Sequence, residues 1–200
     1  MKLIPTLERW RSRLPHWEVD GHWHFVTIRC SGTLPSAVKS KLADIHRNLE
    51  QIDPQCEEFR QMQRKYFLSM EKYLDVGSGF APYLNAGACG SCLKALAVMK
   101  KEGWHVGEAV VMPNHVHLLI RRVDSPHSLK AILRRFKGRS ARWGNEALGR
   151  NGKFWQQDWF DRWMRHEGEV VKTVRYIRNN PVKAQLCNKC ADYKWRISEL

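Results

Sequence analysis

The chain has no run of about eighteen apolar residues, so nothing in it reads as a membrane-spanning helix. No convincing signal peptide opens it, and neither an internal repeat nor a low-complexity tract interrupts it, which excludes solenoid and linker architectures. The G-x-x-x-x-G-K-[ST] loop that cradles nucleotide phosphates is also missing, so no nucleotide cofactor is expected. Acidic side chains are few: 20 Asp and Glu face 34 Lys and Arg, for a net charge of +14 over 200 residues. A field of that sign favours a polyanionic partner and makes binding depend on salt through counterion release. The length suits one domain with a sizeable core.

What is present concentrates in two stretches. The first is Val110-Val111-Met112-Pro113-Asn114-His115-Val116-His117-Leu118-Leu119-Ile120. Side chains two apart on a strand point the same way, so His115, His117 and Leu119 share one face while Val116, Leu118 and Ile120 line the apolar one. The second is Tyr176-Ile177-Arg178-Asn179-Asn180-Pro181. If residues from about Glu167 to Asn179 are helical, buried on Val170, Val171, Val174 and Ile177, then Tyr176 and Asn180 stack one turn apart. Pro181 is expected to stop that helix and to make Asn180 a boundary residue.

Two imidazoles and a carboxamide oxygen form an incomplete N/O shell, suited to a divalent metal with open positions for substrate oxygens. A phenol, with an ordinary pKa of about 10, attacks poorly at neutral pH unless its target is made more electrophilic. A metal that polarises a phosphoryl oxygen does this, so attack of Tyr176 on a phosphodiester is the natural reaction. A histidine pair on a strand is more often packed than metal-binding, and a helical tyrosine is more often core, so the surroundings have to decide.

Those surroundings resemble a known family. Met112-Pro113-Asn114-His115-Val116-His117-Leu118, then Phe154-Trp155-Gln156, Asp161-Arg162 and Tyr176-Ile177-x-Asn179-Asn180-Pro181-Val182-Lys183-Ala184, are similar to IS200-like Y1 transposases. More narrowly they resemble the REP-associated tyrosine transposases, whose N-terminal pattern is echoed by Leu14-Pro15-His16-Trp17 and Phe25-Val26-Thr27-x-Arg29-x-x-Gly32-x-Leu34-Pro35. The resemblance implies a single-domain α+β fold of the HUH endonuclease superfamily: a ferredoxin-like (β-α-β-β-α-β) antiparallel sheet with helices on one face, plus a helical insertion after the first strand. It implies His115 and His117 as metal ligands, Asn180 as the third, Tyr176 as the nucleophile, and Mg²⁺ or Mn²⁺ as the metal. The implied activity is cleavage of single-stranded DNA next to a hairpin (a REP-like palindrome), leaving a 5′-phosphotyrosine and a free 3′-hydroxyl. The implied setting is a bacterial cytoplasm, associated with the nucleoid and with no membrane partner. The protein would be a monomer or a homodimer.

Basic residues cluster just after the histidines at Lys130, Arg134, Arg135, Lys137, Arg139 and Arg142, interleaved with Leu129, Ile132, Leu133 and Phe136. This predicts an amphipathic helix from about Ser128 to Leu148 with a basic flank, and its closeness in sequence to the histidine strand favours DNA contact. Trp155, Trp159 and Trp163 are spaced by four, so they are expected to share a face, as core or as platforms for unpaired bases. With Gln156, Trp155 is a candidate DNA contact. The segment Phe154 to Met164 is expected to be largely extended.

Elsewhere the pattern predicts a basic N-terminal arm from Arg9 to His16 within residues 1–16 and a strand around Trp23 to Cys30. A long helix over Ala37 to Leu74 follows, then a loop from Val76 to Gly90, a helix near Leu93 to Glu102, a strand from Trp104 to Met112, and a tail over about 185–200. Four of the six cysteines form two C-x-x-C pairs, Cys89/Cys92 and Cys187/Cys190, which could clasp a structural Zn²⁺ if the fold brought them together. Free thiols in a reducing compartment are the alternative. Two other functions remain open: a non-catalytic or domesticated hairpin-DNA-binding descendant, and a phosphodiesterase with paired H-x-[ST] motifs. The single histidine motif, with His117 at its second position, disfavours the latter.

Overall fold

The computed structural model describes residues 6–11, 15–53, 56–75 and 79–200. The chain opens not on an arm but on a hairpin, β1 (Thr6–Arg11) antiparallel to β2 (Pro15–Val19). The physical reason is burial: His16, Trp17 and Val19 pack inward, and Trp17 and Val19 meet Trp163 in a small apolar cluster. Ser12 to Leu14, which belong to the expected arm, lie outside the described residues.

The main sheet has β3 (His24–Arg29), β4 (Trp104–Met112), β5 (His115–Arg122), β6 (Phe160–Trp163) and β7 (Arg196–Ser198), in the order β6-β3-β5-β4-β7. Every neighbouring pair is antiparallel. Among the described residues five α-helices accompany it: α1 (Ser36–Glu50), α2 (Glu57–Asp75), α3 (Ala86–Lys101), α4 (Leu129–Ala147) and α5 (Glu167–Lys183). The path β3-α3-β4-β5-α4-β6 is the ferredoxin-like β-α-β-β-α-β, and α1 and α2 are the insertion after its first strand.

The expectation of helices on one face holds for α3 and α4, and needs correction for the others. Val26, Ile28, Val111, Val116, Leu118 and Ile120 pack with α3 and α4 residues such as Leu96, Ile132 and Phe136. Phe25, Val110, Met112 and Leu119 face the other way, onto Val38 and Leu42 of α1, Phe67 and Met70 of α2, and Val174 and Ile177 of α5. A strand buried on both faces needs a helical layer on each, and the insertion and α5 provide the second one.

Several boundaries differ from the sequence reading. The expected long helix is two, interrupted between Glu50 and Glu57, where the sequence carries the helix-stopping pair Asp53-Pro54. The expected glycine-rich loop ends early, since α3 begins at Ala86 behind Asn85, whose side chain accepts from the Ala88 amide at 3.0 Å; Val76 to Ser78 lie outside the described residues. Gly87 within α3 is a packing glycine, because a Cβ there would stand 3.3 Å from the Ala147 methyl of α4. Gly103, at φ +82°, turns the chain from α3 into β4 at a point where a Cβ would collide with the Asp124 carbonyl. Between Phe154 and Met164 only β6 is strand, with an isolated bridge from Trp155 to Cys30. Pro181 does not stop α5, which runs on to Lys183. No described helix is long and apolar enough to cross a membrane.

Candidate active site

β5 brings His115 and His117 to the face that looks at α2 and α5, and both imidazoles are fully buried. Each is held from behind. The Asn114 amide donates to the Leu74 carbonyl at 3.1 Å, which turns its oxygen toward His115 Nδ1 at 2.7 Å. That oxygen can only accept, so His115 Nδ1 carries the proton and its Nε2 presents a lone pair. Thr27, opposite His117 in the β3–β5 register, places its hydroxyl 2.8 Å from His117 Nδ1. With both Nδ1 atoms engaged, the two Nε2 atoms converge at 3.0 Å.

That separation is a test of fit. Two donors each about 2.1 Å from one ion and at right angles around it stand about 3.0 Å apart. Protonation works in the same direction. Burial, then the Lys183 ammonium, takes His115 down to about 3, and burial, His115 and Lys183 take His117 well below its ordinary value. Both are therefore neutral, as ligation requires. Among the described residues no three His, Cys, Asp or Glu gather as a metal cage, so a third protein donor has to be of another kind.

α5 supplies the other half. Its acidic first turn, Glu167 and Glu169, suits a helix N-terminus. Arg178 pins it to the sheet by donating to the buried Glu108 carboxylate at 2.9 Å and to the Ser198 hydroxyl at 2.8 Å. Tyr176 then lies against His117, ring centroids 5.4 Å apart, and its buried hydroxyl finds no hydrogen-bond partner among the described residues. Asn180, one turn on, donates from its amide to the Tyr176 carbonyl at 2.9 Å and leaves its Oδ1 buried and without a partner there. A buried polar atom left unsatisfied costs about 1–3 kcal/mol, and these two, one helical turn apart on α5, are free to meet a bound group. The Phe67 ring of α2 packs edge-on against both His117 (6.3 Å between centroids) and Tyr176 (5.8 Å).

The expected DNA contacts fare differently. α4 lies across the sheet from the histidines, because Leu129, Ile132, Leu133 and Phe136 bury against the face of Val116 and Leu118. Nearness in sequence to β5 does not make nearness to the centre. Arg135 and Arg139 are both committed to Glu102, whose carboxyl is held down at about 2 by hydrogen bonds from Arg139 against the opposing effect of burial, with Arg135 adding to the first. Lys137 donates to the Gln156 and Gln157 carbonyls at 2.8 and 2.6 Å. Arg134 and Arg142 remain exposed. Trp155 is buried, its indole N–H donating to the Ser140 hydroxyl at 3.0 Å, so it is not a stacking platform. Trp155 and Trp159 join the α3–α4 core while Trp163 packs on Trp17, so the three do not share a face. Gln156 is half-buried, and its backbone N–H donates to the Arg29 carbonyl at 2.9 Å.

The zinc clasp is not formed. Cys89 and Cys92 face the core from α3, and Cys89 donates to the Tyr83 carbonyl at 3.1 Å. Burial pushes both thiols up to about 12. Cys187 and Cys190 sit in the tail, and all four are free. Thr27, Asn114 and Lys183 surround the centre, although sequence reading assigned them no role. All three stood in the quoted motifs, but Thr27 gains its partner from the β3–β5 register and Asn114 from the packing of the end of α2.

The residues 92–180 match the family model for IS200-like transposases. Among solved structures, a REP-associated tyrosine transposase bound to a REP hairpin aligns with a TM-score of 0.51 at 15% identity, covering 95% of this chain and 82% of that one. A putative transposase from Deinococcus radiodurans R1 aligns at 0.35 and 15% identity, covering 87% of this chain and 98% of that one, too weakly to bear on the fold. No curated protein matches. The matched residues 92–180 hold the histidine strand, Tyr176 and Asn180, and over that segment the chain is similar to the IS200-like transposases.

Proposed function

We propose that the whole chain is one catalytic domain that nicks single-stranded DNA beside a hairpin and transfers the strand, with Tyr176 as the nucleophile. The observation that carries this reading is the convergence of two neutral imidazole nitrogens at 3.0 Å beside a buried tyrosine whose hydroxyl has no partner among the described residues. Mg²⁺ or Mn²⁺ held by His115, His117 and the Asn180 oxygen would supply positive charge to a phosphoryl oxygen. Thr27 and Asn114 fix the imidazole rings from behind, and Lys183 adds field that attracts the phosphate. Tyr176 Oη gives up its proton and bonds to phosphorus as the P–O3′ bond breaks. The departing 3′-oxygen takes up a proton, leaving a 3′-hydroxyl and a 5′-phosphotyrosine, whose bond energy is kept for rejoining.

The experiment presents wild type with labelled single-stranded hairpins drawn from palindromes near the gene, with Mn²⁺. A covalent adduct is expected, absent in Tyr176→Phe and absent in His117→Ala, which keeps much of its hairpin binding. An adduct that persists in the Phe variant removes Tyr176 from its role, and cleavage indifferent to chelator removes the metal.

A further inference from the structure

A cleft of about 550 Å³ opens between α1 and the segment that carries Gln156, lined by Arg29, Lys39, His46, Tyr66 and Gln156. Its inner end continues into a narrow throat lined by Thr27, Arg29, Tyr66, Gln156 and Asp158. The throat ends at the strand neighbours of the candidate centre: Thr27, whose hydroxyl is 2.8 Å from His117 Nδ1, and Arg29, directly opposite His115 in the β3–β5 register. Opposed residues of an antiparallel pair stand only about 5 Å apart. The mouth is lined by Arg29, Lys39, His46, Tyr66 and Gln156 with the apolar Leu42 and Ala43 and no carboxylate, and Asp158 in the throat is bound to His16. α1 presents Lys39 and His46 to it at helical spacing, two turns apart.

We propose that this cleft receives an unpaired nucleotide of the single strand adjoining the scissile phosphate, which deepens the function proposed above and rests on it. Arg29 meets the phosphate nearest the centre, Lys39 meets the next, and the Tyr66 ring and Gln156 amide take the base. The volume falls in the range of sites for small organic ligands and suits one nucleotide rather than a duplex. Stacking and amide contact suit an unpaired base, which has a free face and a free edge. The helical insertion then has a function: it builds one wall of the path into the catalytic face.

The test uses the full-length protein and two fluorescein-labelled hairpins, one flush and one extended by about four mixed-sequence unpaired nucleotides, with affinities read by anisotropy at fixed salt. Wild type is expected to bind the extended probe about tenfold more tightly than the flush one, and Arg29→Ala and Lys39→Glu are each expected to lose most of that gain while holding the flush probe within about twofold. Lys39 is exposed, so its variant keeps the test open should Arg29→Ala fold poorly. Equal gain in wild type and both variants overturns the cleft, as does a loss shared equally by the two probes. Adduct formation by wild type on the extended probe separates the two readings: an adduct without a cleft effect sinks the cleft alone, and a cleft effect without an adduct sinks the Tyr176 chemistry alone.

Discussion

At the scale of single residues, the centre depends on groups that are not themselves candidate ligands. Asn114 satisfies the Leu74 carbonyl and the His115 Nδ1 proton at once, in a fully buried position. Asn114→Ala removes both bonds and leaves their partners buried, so it should cost about 1–3 kcal/mol in urea unfolding. It should also weaken Mn²⁺ binding about tenfold to a hundredfold in calorimetric titration, because the ring it orients becomes free to turn. Unchanged Mn²⁺ affinity in a folded variant would remove Asn114 from the support of the site. His115, His117 and Tyr176 could be picked out from the sequence, since their shared faces depend on a period within one element and the motifs around them single them out. Thr27 and Asn114 could not, because hydrogen bonds between β3 and β5, or between a turn and the end of α2, depend on register and packing.

At the scale of elements, the hairpin β1–β2 is fastened by a buried charge. His16 bridges Asp161 through Nδ1 and Asp158 through Nε2 at 3.0 Å, sandwiched between the Trp10 and Trp159 rings. Burial opposes the imidazolium, but the Asp161 carboxylate and the hydrogen bonds that His16 donates to Asp158 and Asp161 outweigh it and raise His16 to about 9. A folded pKa raised above the unfolded 6.5 gives stabilisation that is complete below pH 6.5 and lost as pH rises through about 9. The amount is roughly 3 kcal/mol at most, from 1.36 kcal/mol per pKa unit. Wild type should therefore lose unfolding free energy between pH 6.5 and about 9, and His16→Gln should be less stable at the acid end with a flatter slope. Parallel slopes in the two proteins would show that the charge lies elsewhere. α4 gives the complementary lesson: its amphipathic period was legible, but the choice of sheet face was not, since that choice depends on which layer still needs covering.

At the scale of the whole molecule, the charge of +14 is distributed unevenly in use. Part of it is neutralised internally, as with Arg135 and Arg139 on Glu102 and Arg178 on Glu108. Part remains outward, at Lys39, Arg134 and Arg142 among others. Affinity for a single-stranded hairpin should fall on the order of a hundredfold between about 50 and 200 mM salt if about five phosphates are contacted. A nearly flat salt dependence would argue that the outward cations do not meet the backbone.

The sequence by itself determined the chemistry available and its local arrangement: two imidazoles on one side of a strand, a phenol and a carboxamide on one side of a helix, and an excess of cations. These follow from the periods of strand and helix, which are properties of the backbone. The ferredoxin-like order was also legible, because alternating apolar and amphipathic segments arrive in that order along the chain. Only the tertiary structure decided that α5 and the insertion cover the histidine face while α4 covers the other, that Phe67 packs on His117 and Tyr176, and that among the described residues the cysteine pairs form no metal-holding group. Those outcomes depend on how apolar area is shared between the two sides of one sheet, a quantity that no local stretch of sequence contains.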